Sequence, residues 1–271
     1  MKNPRPVAEL DAKKIKGLFF DIDDTFSSDG KITGGPFGSI WRLKDAGLVV
    51  VPVTGRPAGW CDHIARMWPV TAVVGENGAF YFMMKGGKLA KRYAADKRER
   101  DRFKNELAAI RDEVLKEVKG TATASDQAYR EFDLAIDFKE DVKPLSDENV
   151  DRIVRIAKRY GATAKISSIH VNIWFGEHTK LSTTKLFAQN ELGIDLDKKN
   201  SEFVFIGDSG NDEPMFEYFT NSVGVSNVMD FKDRLKTGPS FITKGRSGEG
   251  FAELADKLLS KTPLCLSSAV F

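Results

Sequence analysis

Short apolar runs alternate with amphipathic stretches along the first third of the chain. Residues 17–20 (GLFF) with Ile22 suit a buried strand and are too few for a typical helix. Residues 36–46 carry Phe37, Ile40, Trp41 and Leu43 at helical spacing and stop at Gly47, and 48–53 (LVVVPV) reads as a second buried strand. Pro57 suits the first turn of a helix running towards Trp68. Residues 71–74 and 79–84 read as further strands, the last closed by Gly86-Gly87. Strands and helices in alternation predict a parallel sheet with right-handed crossovers, and ligands of such sheets gather at the carboxyl ends of the strands.

The pattern then changes. Phe103, Leu107, Ile110, Val114 and Val118 recur at helical steps within the charged stretch 91–119, and Val150, Ile153, Val154 and Ala157 do the same in 147–160. Leu134, Ile136 and Phe138 alternate with Asp133, Ala135 and Asp137, and 162–167 and 169–175 read as paired strands. Residues 86–176 therefore form a separate α/β module. From Lys180 the first pattern resumes: a helix over 182–192 with Ser182 as its N-cap, a buried strand at 203–206, a helix at 213–219, and closing elements at 222–225, 241–243 and 249–259. The apolar tail 264–271 is left unassigned.

Composition narrows the classes. The 271 residues are 41% hydrophobic, enough for one large or two ordinary domains with real cores. Lysines and arginines number 41 against 39 aspartates and glutamates, so no overall field draws the chain to nucleic acid or an anionic membrane. Cys61 and Cys265 lie far apart and outside any CxxC pattern, which suits a reducing cytoplasm. No stretch approaches the ~18 consecutive apolar residues of a membrane helix.

Three predicted strand tips carry polar groups: Asp21 with Asp23, Thr54-Gly55-Arg56, and Asp208 with Asn211 and Asp212. Along a strand, residues i and i+2 point the same way about 6.5–7 Å apart, so Asp21 and Asp23 can reach one reacting group. The alternative is an acidic turn closing a strand, since Asp favours turns. Carboxylates from different strands and a backbone carbonyl make a magnesium site, and Lys180 or Lys185 adds a point charge for phosphate or carboxylate. Alternation along 170–175 puts His170, Asn172 and Trp174 on one face, towards a hydroxylated ligand or towards solvent.

In this order the residues resemble the haloacid dehalogenase superfamily of phosphohydrolases. DIDDT is similar to its first motif, DxDxT; VTGR to the second; the neighbourhood of Lys180 to the third; and GDSGND to the fourth, GDxxND. The resemblance covers nearly the whole chain, with 86–176 lying between motifs two and three, where one class carries an α/β cap. Asn77-Gly78 and HVNIWFG resemble the subgroup of sucrose-phosphate, trehalose-phosphate and mannosylphosphoglycerate phosphatases and Cof-like enzymes. The implied fold is α/β: a Rossmann-like parallel-sheet core with helices on both faces (1–85 and 177–271) and an inserted smaller α/β cap (86–176).

The resemblance also implies chemistry. Asp21 would be the nucleophile and form an aspartyl-phosphate, and Asp23 either the general acid–base or a metal ligand alone, since the family also places that residue's backbone carbonyl on magnesium. Asp208 would bind the metal directly and Asp212 directly or through water. Asn211 would orient phosphate or Asp212, Thr54 and Gly55 would hold phosphoryl oxygens, and Arg56 would reach substrate or brace its loop. Lys180 fits the third motif better than Lys185. The expected activity is magnesium-dependent hydrolysis of a small phosphorylated metabolite, such as a sugar phosphate, by a cytoplasmic monomer or homodimer. A phosphosugar mutase and a non-catalytic sugar-phosphate-binding protein are the alternatives.

Overall fold

The computed structural model describes residues 3–260. Its centre is a six-stranded, all-parallel sheet made of β1 (Arg5–Pro6), β2 (Gly17–Phe20), β3 (Val49–Pro52), β11 (Phe203–Gly207), β12 (Asn221–Gly224) and β13 (Phe241–Ile242). The strand order is β1-β13-β12-β11-β2-β3, so β2 lies between β11 and β3 although most of the chain runs between β2 and β11. Side-chain alternation explains why GLFF is wholly apolar: Leu18 and Phe20 enter a core with Val50, Val204 and Phe251, and Phe19 enters another with Val51, Phe203 and Phe187. Each fully buried phenylalanine of this kind contributes on the order of 2 kcal/mol.

Helices α1 (Gly34–Asp45) and α8 (Ser247–Leu259) cover the first face, and α5 (Lys180–Leu192) and α7 (Glu213–Tyr218) cover the second. Helix α2 (Ala58–Met67) follows β3, and the short α6 (Leu196–Lys199) precedes β11. Strands β4 (Val73–Gly75), β5 (Phe80–Lys85) and β6 (Lys88–Tyr93) form a small antiparallel sheet, joined to β3 by the Val53–Val74 bridge. The Gly86-Gly87 turn does not end this sheet. It folds β6, whose alternation the lysines and arginine of KLAKRY hide, back along the whole of β5.

Between α3 (Lys97–Glu117) and residue 174 the chain builds a second layer pair. Strands β7 (Ala122–Thr123), β8 (Leu134–Asp137), β9 (Thr163–Ile166) and β10 (His170–Trp174) pair antiparallel in the order β7-β8-β10-β9. Helices α3 and α4 (Asp147–Arg159) close one face of that sheet with Ile110, Val114, Ile153 and Ile156 against Ile136, Val171 and Ile173. The architecture is the α/β core with an inserted cap that the sequence implies. Among the described residues no helix is long and apolar enough to cross a membrane. The tail 264–271 lies outside the described residues.

Candidate active site

Strand β2 ends at Phe20, before the aspartates. Asp21 continues the ladder, its N–H donating to the Ile206 carbonyl at 2.9 Å, and the chain then turns, with the Phe26 and Ser27 amides both donating to the Ile22 carbonyl. Asp24 takes a φ of 53° within this turn. Asp21 and Asp23 therefore do not follow strand alternation. The Asp21 carboxylate joins a buried cluster, whereas that of Asp23 turns to Arg56.

The cluster is Asp21, Asp208 and Asp212, whose nearest oxygens all lie within 4.8 Å of one another. Asp208 stands at the tip of β11, and Thr25 Oγ1 donates to its Oδ1 at 3.2 Å. Asp212, at the end of the 3-10 turn Gly210–Asp212, reaches back so that its Oδ2 accepts from the amides of Asp208 (3.1 Å) and Ser209 (3.4 Å). That return requires Gly207, because a Cβ there would lie 2.3 Å from Asp212 Oδ2.

Lys180 completes the group. Its Nζ lies 2.9 Å from Asp21 Oδ1 and 2.7 Å from Asp212 Oδ1, and the residue is only 4% exposed. The sequence places the N-cap of this helix at Ser182, but the cap is Thr179, which accepts from the Ser182 amide in a capping box. Lys180 is thus the first helical residue, next to the turn that aims it at the sheet. Gly78 seats that turn: its φ is +106° and a Cβ would lie 2.1 Å from the Thr179 carbonyl oxygen, while Thr183 Oγ1 donates to the Gly78 carbonyl. Lys185 instead pairs with Asp197 at the surface.

Burial pushes the Asp21 carboxyl up to about 8, with Lys180 opposing and Asp212 and Asp23 adding to the rise. Asp208 is likewise driven up, by burial first and then by Asp21 and Asp212. Burial opposes the charge of Lys180, yet Asp21 and Asp212 overcome it and hold the ammonium above its ordinary value. Three buried carboxylates against one ammonium leave a formal excess of two negative charges. Asp208 Oδ2 is buried with no hydrogen-bond partner. An all-oxygen donor set with that excess and an unused buried acceptor fits magnesium, a hard divalent cation.

Thr54 and Gly55 follow β3. The Thr54 hydroxyl accepts from the Arg56 amide at 3.0 Å, and the Gly55 carbonyl accepts from Arg130 Nη1 at 2.8 Å. The Arg56 guanidinium grips Asp23 (Nη2–Oδ1 2.8 Å), Glu140 (Nη2–Oε1 2.6 Å) and Asp126 (Nη1–Oδ2 3.3 Å). Asn211 Oδ1 accepts from Ser209 Oγ at 3.0 Å. His170 and Asn172, on β10, are buried and point at this end of the core: with Asp21, Gly55 and Asn211 they line a cavity of about 10 Å³. His170 Nε2 is 2.9 Å from Glu140 Oε2 without aligned hydrogen-bond geometry, and Asn172 Oδ1 has no partner. A wider cleft of about 640 Å³ reaches Asp23 and Asp208 from outside.

Sequence reasoning missed the residues that join the two layers. Glu76 accepts from the amides of Ala58, Glu131, Phe132 and Asp133, and Arg130 pairs with Asp126 and Asp133. The one local signal was Glu76-Asn77-Gly78, where all three residues have positive φ. Glu140, Asp126 and Arg130 lie in stretches without apolar periodicity, and only the tertiary fold brings them to Arg56.

The profile of the haloacid dehalogenase-like hydrolases matches residues 18–254. The chain is 25% identical to phosphoglycolate phosphatase 1 of Saccharolobus solfataricus over 249 residues, 90% of this chain and 96% of that protein. Among solved structures it resembles the sucrose-phosphatase of Synechocystis (TM-score 0.62, 16% identity, 90% of this chain and 98% of that one). It also resembles the C-terminal domain of trehalose-6-phosphate phosphatase from C. albicans (TM-score 0.70, 14% identity, 96% and 99%). A match over most of the chain, with phosphatases as its curated relatives, decides the assignment: the chain belongs to the haloacid dehalogenase-like hydrolases, among the phosphatases of that family.

Proposed function

We propose that the chain hydrolyses phosphate monoesters of small hydroxylated metabolites, a sugar phosphate or a near relative, with magnesium and through an aspartyl-phosphate on Asp21. The observation that carries this reading is the buried meeting of Asp21, Asp208 and Asp212 around the Lys180 ammonium. Magnesium held by Asp21, Asp208 and Asp212, with the Asp23 backbone, would supply the positive charge that screens the acids and draws in phosphoryl oxygens. An Asp21 carboxylate oxygen forms a bond to phosphorus while the bond from phosphorus to the alcohol oxygen breaks, and Asp23 gives that oxygen its proton. Water then yields a proton to Asp23 and attacks the same phosphorus, which frees inorganic phosphate and restores the Asp21 carboxylate.

The remaining residues position these groups. Thr54, Gly55 and Asn211 hold phosphoryl oxygens, and Arg56 acts as a brace, since its guanidinium is engaged by Asp23, Asp126 and Glu140. Phosphoryl transfer depends chiefly on such positioning and charge neutralisation. The core carries the chemistry, with β6 (Lys88–Tyr93) part of it through its pairing with β5, and the cap that follows, up to residue 176, selects the alcohol, with His170 and Asn172 over the phosphate end. The cavity beneath them is about 10 Å³, room for at most one water, and the adjoining cleft of about 640 Å³ leads from Asp23 and Asp208 to the outside. Names of the relatives, for phosphoglycolate and for sucrose and trehalose phosphates, agree on a small phosphorylated alcohol. The setting we assign is the cytoplasm, as a monomer or homodimer.

The test is phosphate release from a panel of phosphomonoesters with magnesium, with EDTA, and by Asp21→Asn. Turnover is expected only in the first case, with free phosphate and not an isomeric ester as product. Undiminished turnover by Asp21→Asn refutes the assigned nucleophile.

A further inference from the structure

The outer cleft, where the alcohol part of a phosphoester would lie, is uneven in charge. Seven acidic side chains line it against three basic ones, Arg56, Lys139 and Arg246. None of the three stands free of carboxylates. Arg246 pairs with Asp230 at 2.6 Å, Lys139 stands near Asp24, and Arg56 is held by Asp23, Asp126 and Glu140.

Glu140 differs from the other acids in how it is held. The carboxylate of Asp137, at the end of β8, accepts from the amides of Lys139, Glu140 and Asp141, each at 2.8 Å, and so fixes the turn that carries Glu140. The Glu140 side chain is 26% exposed, its Oε1 lies 2.6 Å from Arg56 Nη2, and its Oε2 lies 2.9 Å from His170 Nε2. It therefore occupies, from the cap, the guanidinium that stands nearest Asp23 on the alcohol side. A substrate carboxylate there would meet Glu140 and Asp24 with no uncommitted guanidinium to receive it. A hydroxyl group would find acceptors and donors, among them the hydroxyl of Ser168, a buried residue that faces Asp24.

We propose that Glu140 is a specificity-determining residue: by occupying Arg56 it makes the cleft reject phosphoesters of hydroxy acids and accept those of uncharged, hydroxyl-rich alcohols. This rests on the phosphatase reading above and refines it. It also separates this chain from its curated relatives, which are named for phosphoglycolate, the ester of a hydroxy acid.

The experiment compares kcat/KM for 2-phosphoglycolate and glucose 6-phosphate in the wild type, Glu140→Gln and Glu140→Asp, with p-nitrophenyl phosphate as a common reference. The wild type is expected to favour glucose 6-phosphate. Glu140→Gln is expected to move the ratio towards phosphoglycolate by about tenfold, mainly through KM, as removal of one nearby unit charge at an effective dielectric of about 20–40 implies. Glu140→Asp is expected to keep the wild-type preference. A ratio of two substrates on one variant is insensitive to the fraction folded. A wild-type preference for phosphoglycolate, or a Glu140→Gln ratio within about twofold of wild type, overturns the proposal. Absence of turnover on all three esters overturns the phosphatase reading and this proposal with it, a result distinct from turnover with an unmoved ratio.

Discussion

Replacing Lys180 by methionine removes the cation that bridges Asp21 and Asp212 while keeping the length of the side chain. Its ammonium touches Asp21 at 2.9 Å and Asp212 at 2.7 Å, and all three side chains are nearly inaccessible. Breaking a buried ion pair by deleting one partner costs about 3–5 kcal/mol, because the other charge is left without compensation. Asp21 is already pushed up to about 8 with the lysine present, so near pH 7 a carboxyl can take a proton and relieve part of that cost. The loss expected without metal is thus about 3 kcal/mol, the lower end of the range. Activity with magnesium should fall about 10²–10³-fold, as when a preorganised donor to developing negative charge is removed. Lys185→Met is the internal control: its pair with Asp197 is 37% and 58% exposed, and such pairs contribute about 0–1 kcal/mol. Urea denaturation in EDTA and initial rates in magnesium measure both variants. If Lys180→Met stays within about 1 kcal/mol of wild type, or Lys185→Met proves as damaging, the account of this cluster is wrong.

Three further outcomes follow from the same geometry. Burial holds the His178 imidazole down at about 4 against an ordinary 6.5, so below pH 6.5 the unfolded chain binds a proton that the folded chain refuses. Stability falls as pH drops through this window, by up to about 3 kcal/mol, and His178→Phe should flatten the difference in stability between pH 7 and pH 4. Magnesium at about 100 times its Kd should stabilise the wild type by about 2.7 kcal/mol, and Asp208→Asn should abolish most of that gain in thermal unfolding. Glu76→Ala leaves three buried amides and one part-buried amide without their acceptor and should cost about 3 kcal/mol or more. Hydrogen exchange should then quicken at residues 131–133, and unchanged protection there would show that Glu76 does not tether the segment.

The sequence made the central sheet legible because its strands are buried on both faces and read as unbroken apolar runs, as in GLFF and FVFIG. It also exposed Asp21, Asp208, Asp212 and Lys180, since residues with charge at strand tips and helix starts stand out against such runs. The turn through Asp24, and not strand alternation, sets the direction of Asp23, because the chain leaves β2 at Phe20; Asp21 and Asp23 still line one small cavity. β6 was hidden by surface lysines, and the N-cap of α5 was displaced because Thr179 and Ser182 are equally good capping residues, each bonded to the other's backbone in the folded chain. Asp126, Arg130 and Glu140 carry no local signal of their role, and Glu76 has only the Asn77-Gly78 pair that follows it. Their meaning comes from pairings such as Arg56 with Glu140, across 84 residues of chain, which no window of periodicity contains.

The central claim is that acids at the tips of two adjacent strands hold one divalent cation beside Lys180. Crystals grown with manganese in place of magnesium test it directly, by anomalous scattering at the manganese edge. One peak bounded by Asp21, Asp208 and Asp212, lost in Asp208→Asn, is the predicted result. A manganese peak elsewhere, or none at this cluster in active protein, would contradict it.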